Sequence, residues 1–204
     1  MIAQTLIVAF LISYIGSIPP GTVNVSVMQL SILKKHRAAL FFSLAASLVE
    51  FAYAGVTVQF HLFLNTHPEV ANYFRIITAV ALIGLGLWNI FSISTSGSIK
   101  VDTKLTGRHG FARGLILGFL NPMTIPFWLA MTTYLENDGL VELTNLGYWM
   151  YLVGLSSGTF CLLLTVDAMG KRFTKIADNK LLVHKLPGFL LFVLGTYYLA
   201  KLVF

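Results

Sequence analysis

Long apolar stretches separated by short polar loops dominate the chain. Each stretch reaches the roughly 20 mostly apolar residues that a helix needs to cross a hydrocarbon core. The pattern predicts six membrane spans: Ile2 to Leu33, Ala38 to Leu64, Val70 to Ile93, Phe111 to Leu135, Tyr148 to Met169 and Leu181 to Val203. The count falls to five if the first stretch only re-enters the membrane. The predicted fold is all-α and integral to the membrane, with one transmembrane domain over residues 1–204.

Two of these stretches contain helix breakers. The first holds Ser17-Ile18-Pro19-Pro20-Gly21, and the fourth holds Asn121-Pro122-Met123-Thr124-Ile125-Pro126. Proline removes a backbone donor and clashes with the preceding turn. Inside a bilayer, the backbone groups freed at each break must therefore form hydrogen bonds with protein, water or a ligand. A straight helix over the whole first stretch would run about 45 Å, against a core of about 30 Å. We therefore expect broken first and fourth helices.

The two breaks also suggest internal symmetry. Pro20 and Pro122 lie half the chain length apart, which divides the sequence into pseudo-repeats of about 1–97 and 98–204. Three spans followed by three spans have opposite orientations, as in an inverted repeat. Transporters built this way often bring their broken helices together near the membrane midplane. The alternative is that proline only kinks a packed helix, but two breaks at matching positions favour a transporter.

The composition agrees with a membrane protein. Of the 204 residues, 56% are hydrophobic and 11% charged, with a mean hydropathy of +0.79, whereas about a quarter of a soluble domain is charged. No basic residue precedes the first apolar stretch, so no signal peptide is predicted. The single cysteine, Cys161, is expected to pack as a small apolar side chain. Because the sequence has no second cysteine, it argues against an electron carrier that needs paired thiols.

Charge in the loops predicts the orientation. The basic residues concentrate in the first, third and fifth loops: Lys34, Lys35 and Arg37; Lys100, Lys104, Arg108 and Arg113; Lys171, Arg172, Lys175, Lys180 and Lys185. The second loop has only Arg75, and the fourth, Glu136 to Leu146, has no basic residue. The positive-inside bias makes the basic loops cytoplasmic and both termini outward. This bias and the attraction to anionic lipids explain the net charge of +6 without nucleic acid as a partner.

Glu50 is the strongest functional candidate. It lies near the centre of the second span among apolar neighbours, where a charge costs about 2.5 to 3.5 kcal/mol on insertion scales. We therefore expect a neutral carboxyl or a close partner. Such a group can carry a coupling proton or bind a substrate ammonium. The structural alternative is a protonated side chain bonded to a neighbouring helix.

Further candidates flank the two breaks, where an amide can bond both the donors and the acceptors that a break releases. The predicted substrate-binding or coupling residues are Glu50, Pro20, Gly21, Asn24, Asn121, Pro122 and Pro126. Weaker candidates are Thr22, Thr124, Gln29, Trp128 and Asp167.

Several of these residues have alternative roles. Trp128 either belongs to an interfacial aromatic belt or lines the cavity. Asp167 either faces the cavity or pairs with Lys171 one helical turn later, and the pairing is slightly favoured. His61 and His67 offer too few ligands for a metal site, and no cofactor is predicted. Whether Gly154 and Gly158 only pack helices or also form a homodimer is open.

At the breaks, the sequence resembles the lysine exporter family (LysE/RhtB) of amino-acid exporters, whose first span carries Pro-Gly-Pro followed closely by Asn. Pro20, Gly21 and Asn24 match this motif, and Thr22 replaces the second proline. The resemblance extends to the basic first loop, to Glu50, and to the Asn-Pro of the fourth span, where Met123 follows instead of the basic residue of many members.

The resemblance implies an exporter in the bacterial cell membrane that moves amino acids or similar small metabolites outward against inward proton flow. A metal-ion exporter of related architecture is an alternative, although more intramembrane carboxylates or histidines would be expected. A membrane enzyme is less favoured because the sequence has no nucleophile and base motif and no phosphate-binding loop. A scaffold would have no need for Glu50 or the two breaks.

Overall fold

The computed structural model describes residues 1–18, 21–91, 106–121, 124–170, 172 and 185–203. Within these residues the chain is helical, with no strand. The helices are α1 (Ile2–Gly16), α2 (Thr22–Ile32), α3 (His36–Thr66), α4 (Pro68–Phe91), α5 (Gly107–Phe119), α6 (Thr124–Asn137), α7 (Asn145–Met169) and α8 (Leu186–Val203). The predicted all-α fold is confirmed at this level.

Three helices are long and apolar enough to cross a membrane by themselves: α3, α4 and α7. The pair α5 and α6 passes the same test together, with a bend of 67° between them. The shorter apolar helices are α1, α2 and, within α8, Gly188–Tyr197. The chain therefore has three to four spans by length and composition among its described residues, and the predicted second, third and fifth spans correspond to α3, α4 and α7.

Both predicted breaks coincide with interruptions between helices. The first lies between Gly16 and Thr22, and the second between Phe119 and Thr124. Four residues at the breaks, Pro19, Pro20, Pro122 and Met123, lie outside the described residues. Much of the third and fifth loops also lies outside them, including Lys100, Lys104, Lys171, Lys175 and Lys180.

The helices associate mainly in three pairs. α1 packs along α7, α5 along α3, and α4 along α8, while α3 and α7 pack against each other at the centre. The partners are distant in sequence, so the half-helix before each break lies against the middle span of the other half of the chain. The α4–α8 pair contacts the rest of the helix bundle through α3 and α6.

Glycines allow these helices to approach closely. A methyl group built on Gly110 or Gly114 of α5 would overlap the α3 backbone carbonyls of Ala38 or Phe42. A methyl group built on Gly158 of α7 would likewise overlap the carbonyl of Phe10 on α1. In the α4–α8 pair, a methyl group on Gly86 would lie 2.7 Å from the carbonyl oxygen of Gly188. Small residues at such contacts let helix backbones pack tightly in lipid.

The two ends of the helix bundle differ in charge. At one end, the start of α3 and the start of α5 line a shared groove that contains Lys35, Arg37 and Arg108. The end of α7 is at the same place, because Asp167 contacts His36. At the opposite end, the Glu142 backbone N–H donates to Thr5 of α1 over 2.9 Å.

Candidate functional site

The carboxylate of Glu50 has a specific partner on another helix. Glu50 lies midway along α3, and the indole N–H of Trp128 on α6 donates a hydrogen bond to its Oε1. Trp128 is buried, with 3% of its surface exposed, whereas Glu50 is half-buried. Trp128 is therefore an interior residue and not part of an interfacial belt, and its donor stabilises a carboxylate that lipid alone would not solvate.

The second break lies directly beside Glu50. A methyl group built on Gly118, near the end of α5, would be 3.1 Å from Cβ of Val49. One turn further along α3, the Tyr53 hydroxyl donates to the carbonyl oxygen of Phe119 over 2.8 Å. The end of a helix leaves carbonyls without intrahelical partners, and Tyr53 satisfies one of them.

The first break is braced in a similar way. Asn24, buried on α2, donates through Nδ2 to the carbonyl oxygen of Ser17 over 2.7 Å. The Phe127 ring lies beside Gly16, the last residue of α1, because a methyl group built there would be 3.5 Å from Phe127 Cζ. Phe127 also packs edge-on against Trp128, with ring centroids 5.0 Å apart. The two breaks and Glu50 are thus connected through two adjacent aromatic side chains.

Buried hydroxyls connect α7 to the same region. Ser13 donates to the Leu155 carbonyl over 2.7 Å and lies 2.8 Å from the Thr159 hydroxyl. Ser156 donates to the Ser47 carbonyl over 2.7 Å, one turn before Glu50. These bonds fix α1 and α3 to α7 at the level of the site.

The other predicted residues also lie at the breaks. Gly21 is the residue before α2, its φ is −88°, and no atom of the described residues beyond its chain neighbours lies within 4 Å of a methyl group built on it. Thr22 begins α2 and is exposed, whereas Thr124 begins α6 and is buried.

The remaining candidates differ in their surroundings. Pro126 occupies the first turn of α6, where proline costs no helical hydrogen bond. Asn121 follows α5 and is exposed, and its carbonyl accepts from the Thr124 N–H over 3.4 Å. Gln29 Oε1 is buried and has no hydrogen-bond partner among the described residues.

Asp167 is not part of this central site. Its carboxylate lies 3.0 Å from Nδ1 of His36, at the start of α3. The predicted partner, Lys171, is outside the described residues. This contact joins the end of α7 to the start of α3 at the basic end of the bundle.

One polar pair was missed by the sequence analysis. His61 of α3 lies against Glu136 of α6 through Nε2 and Oε2. The sequence analysis assigned Glu136 to a loop, but α6 continues to Asn137 and presents Glu136 two turns after Trp128. Helical spacing was the available signal, because Trp128, Thr132 and Glu136 recur every four residues.

The described residues contain no group of three or more His, Cys, Asp or Glu side chains arranged to hold a metal ion. The site consists instead of one carboxylate, an indole donor and two helix breaks. Such an arrangement can bind and release a proton and a small polar solute.

Comparison with known proteins identifies the family. The family model described as LysE type translocator matches residues 14–202. No curated protein and no solved structure matches the chain. The match includes both breaks, Glu50 and Trp128, and with the apolar helices it indicates an integral membrane transporter. The chain belongs to the LysE type translocator family.

Proposed function

We propose that the protein is a secondary transporter that exports amino acids or related small metabolites in exchange for protons moving inward. The observation that carries this proposal is the half-buried Glu50, bonded to Trp128 beside a broken helix. The family supports the export of a small solute. Proton coupling is inferred from the carboxylate itself, because intramembrane carboxylates mark proton relays and substrate paths.

The chemistry of the site suits a zwitterion. The starts of α2 and α6 border the two breaks, and helix N-termini favour an anionic group such as a substrate carboxylate. Glu50 in its charged form favours an ammonium group. A solute with both groups would be attracted at both positions, which supports an amino acid over a simple cation.

The helix pairings support an inverted repeat. In the proposal, α1 to α4 form one repeat and α5 to α8 the other. The α1–α7 and α5–α3 pairs then correspond, and the α3–α7 and α4–α8 pairs each join equivalent helices. Transporters of this type alternate between outward and inward states as one repeat rocks against the other around a fixed site.

Proton binding provides the coupling step. A proton on Glu50 removes the charge that strengthens the Trp128 hydrogen bond. We propose that the α3–α6 contact loosens when this happens and that the loaded site then changes the side to which it opens. Release of the proton to the cytoplasm restores the bond.

The central experiment is to overexpress the protein and profile extracellular metabolites. Cells with the wild-type chain should accumulate one or more amino acids outside, and Glu50→Gln should abolish this because the amide cannot exchange a proton. Glu69→Gln is the matched control, since Glu69 is exposed at the start of α4 and should leave export unchanged.

Two outcomes decide the proposal. Export that persists in Glu50→Gln removes this carboxyl from the mechanism. If no solute accumulates in a Glu50-dependent manner, the exporter assignment fails. With purified protein in liposomes, a protonophore that collapses the pH gradient should stop uphill transport of the identified solute.

A further inference from the structure

The contact between α3 and α6 forms a seam that runs from the centre of the protein to the end that carries Glu142, with a polar pair at each end and apolar residues such as Ala54 and Leu135 between them. On α3, Glu50, Thr57 and His61 share one face, at spacings of two helical turns and then one. On α6, Trp128 contacts Glu50 and Glu136 contacts His61, whereas the Thr132 hydroxyl between them bonds to the Tyr151 hydroxyl of α7 over 2.8 Å. The Glu50–Trp128 bond is at the inner end of the seam, and the His61–Glu136 contact is at its other end.

The His61–Glu136 pair is buried on one side and open on the other. The His61 side chain is 3% exposed and that of Glu136 is 27% exposed. Asn65 donates through Nδ2 to Glu136 Oε2 over 3.3 Å. His61 Nδ1 lies 3.0 Å from the Thr133 hydroxyl. Solvent therefore reaches the carboxylate, and the imidazole forms the inner side of the pair.

The hydrogen bonds define how many protons the pair holds. The Thr133 hydroxyl donates to the Leu129 carbonyl over 2.8 Å, so it accepts from His61, whose Nδ1 must carry a hydrogen. The contact between Nε2 and Oε2 then needs one proton between the two atoms. The pair is either imidazolium with carboxylate or imidazole with carboxylic acid, and in both forms it holds one proton on Nδ1 and one shared between Nε2 and Oε2.

Among the described residues, His61 is the only ionisable side chain that lines the void beside the pair. A small void of about 20 Å³ beside His61, also lined by Asn65, Thr133 and Thr78, has room for a single water molecule. α4 contributes Ala71, Phe74 and Thr78 to it, none of which titrates, and the Arg75 side chain lies outside the described residues. One turn closer to Glu50, the Thr57 hydroxyl is buried without a hydrogen-bond partner among the described residues.

We propose that His61 and Glu136 form the outer proton-uptake site of the transporter and pass protons along the α3–α6 seam to Glu50. A proton arriving at Glu136 moves the shared proton fully onto Nε2, and His61 releases its Nδ1 proton to a water in the void that it lines with Thr133, so one proton enters and one leaves. A turn of the imidazole ring then places the remaining N–H toward Thr133 again and restores the starting form of the pair. The proton then passes Thr57 and binds the Glu50 carboxylate. This inference rests on the proposed proton coupling.

The test uses Trp128 as a reporter and the proton as the only ligand. Trp88→Phe and Trp149→Phe leave Trp128 as the single tryptophan, and both replaced residues are exposed. The protein is reconstituted in liposomes, and the external buffer is stepped from about pH 8 to about pH 6, the range in which histidine titrates. Protonation of Glu50 should change the Trp128 fluorescence, and Glu50→Gln should abolish that change.

His61→Gln should slow the response to the external step about 100-fold, the order expected when a positioned proton-transfer group is lost. Glu136→Gln should act in the same direction, and it tests the pair independently if His61→Gln does not fold. His67→Gln is the control, since His67 is exposed just after α3 and has no carboxylate contact among the described residues. A pH step inside the liposomes should give the wild-type change in Trp128 fluorescence in His61→Gln, Glu136→Gln and His67→Gln.

The outcomes separate this proposal from the exporter assignment. An unchanged external response in His61→Gln and Glu136→Gln overturns the uptake site, and so does the absence of any response in the wild-type reporter. A normal response together with no exported solute overturns the exporter assignment alone, because the assay contains no solute.

Discussion

At the scale of single residues, the charge state of Glu50 is tied to a donor that does not itself ionise. Trp128 supplies an indole N–H from a buried position on α6. Because indole has one donor and no acceptor, it bonds a carboxylate oxygen more strongly than the carbonyl oxygen of a protonated carboxyl. The pair therefore distinguishes the two protonation states of Glu50.

Trp128→Phe should reduce export without unfolding the protein. The aromatic ring remains, but the hydrogen bond to a charged group is lost, which costs about 1.5 to 3 kcal/mol. We expect transport to fall about tenfold to 100-fold, measured as the initial rate of efflux at matched protein levels. Trp149→Phe is the control because Trp149 is exposed, and equal rates in both variants would contradict the role of the bond.

Residue type and position in the sequence were enough to identify Glu50, Asn24 and the breaks as candidates, because a carboxylate or proline in an apolar stretch is unusual by itself. The same approach could not find Tyr53. Its hydroxyl is useful only because the Phe119 carbonyl is 2.8 Å away, and 66 residues separate them in the chain.

At the scale of helices, stability depends on close backbone approach. Gly114 on α5 lies against a carbonyl of α3, and Gly158 on α7 lies against a carbonyl of α1. Hydropathy indicated which segments are helical but not which helices pair. The small-residue face at Gly154 and Gly158 was recognised from the sequence, whereas its partner α1 was not.

Gly114→Ala and Gly158→Ala should each destabilise the protein by about 1 to 3 kcal/mol, as expected from overpacking. The matched control is Gly84→Ala on α4, since no atom of the described residues lies within 4 Å of a methyl group built at Gly84. That variant should be neutral or more stable by up to about 1 kcal/mol, because alanine favours helix over glycine. Thermal unfolding in detergent measures all three, and equal melting temperatures would show that the close approach contributes nothing.

At the scale of the whole molecule, the two ends of the bundle carry different charges. Lys35, Arg37 and Arg108 share a groove at one end, and the other end holds Glu136 and Glu142. The positive-inside bias then predicts that the groove faces the cytoplasm. The proposed direction of proton flow requires this orientation, because Glu136 must meet the outer solution.

The orientation is tested by single cysteines in a Cys161→Ser background. Asp138→Cys, just after α6, should react with a membrane-impermeant maleimide on intact cells. Arg37→Cys should react only after the membrane is permeabilised. Both native residues are exposed, so access to the reagent depends on the side of the membrane. The reverse labelling pattern would invert the topology and remove Glu136 from the proposed uptake side.

By itself, the sequence determined the membrane class, the helical content, the two breaks and the intramembrane carboxylate. These features follow from hydropathy and from proline geometry, which act within one segment of the chain. Only the tertiary structure decided that Trp128 binds Glu50 and that His61 lies against Glu136, across separations of 78 and 75 residues. Such contacts depend on which helix faces pack together, and a pattern within one segment, such as the glycines that allow close approach, does not specify the partner helix.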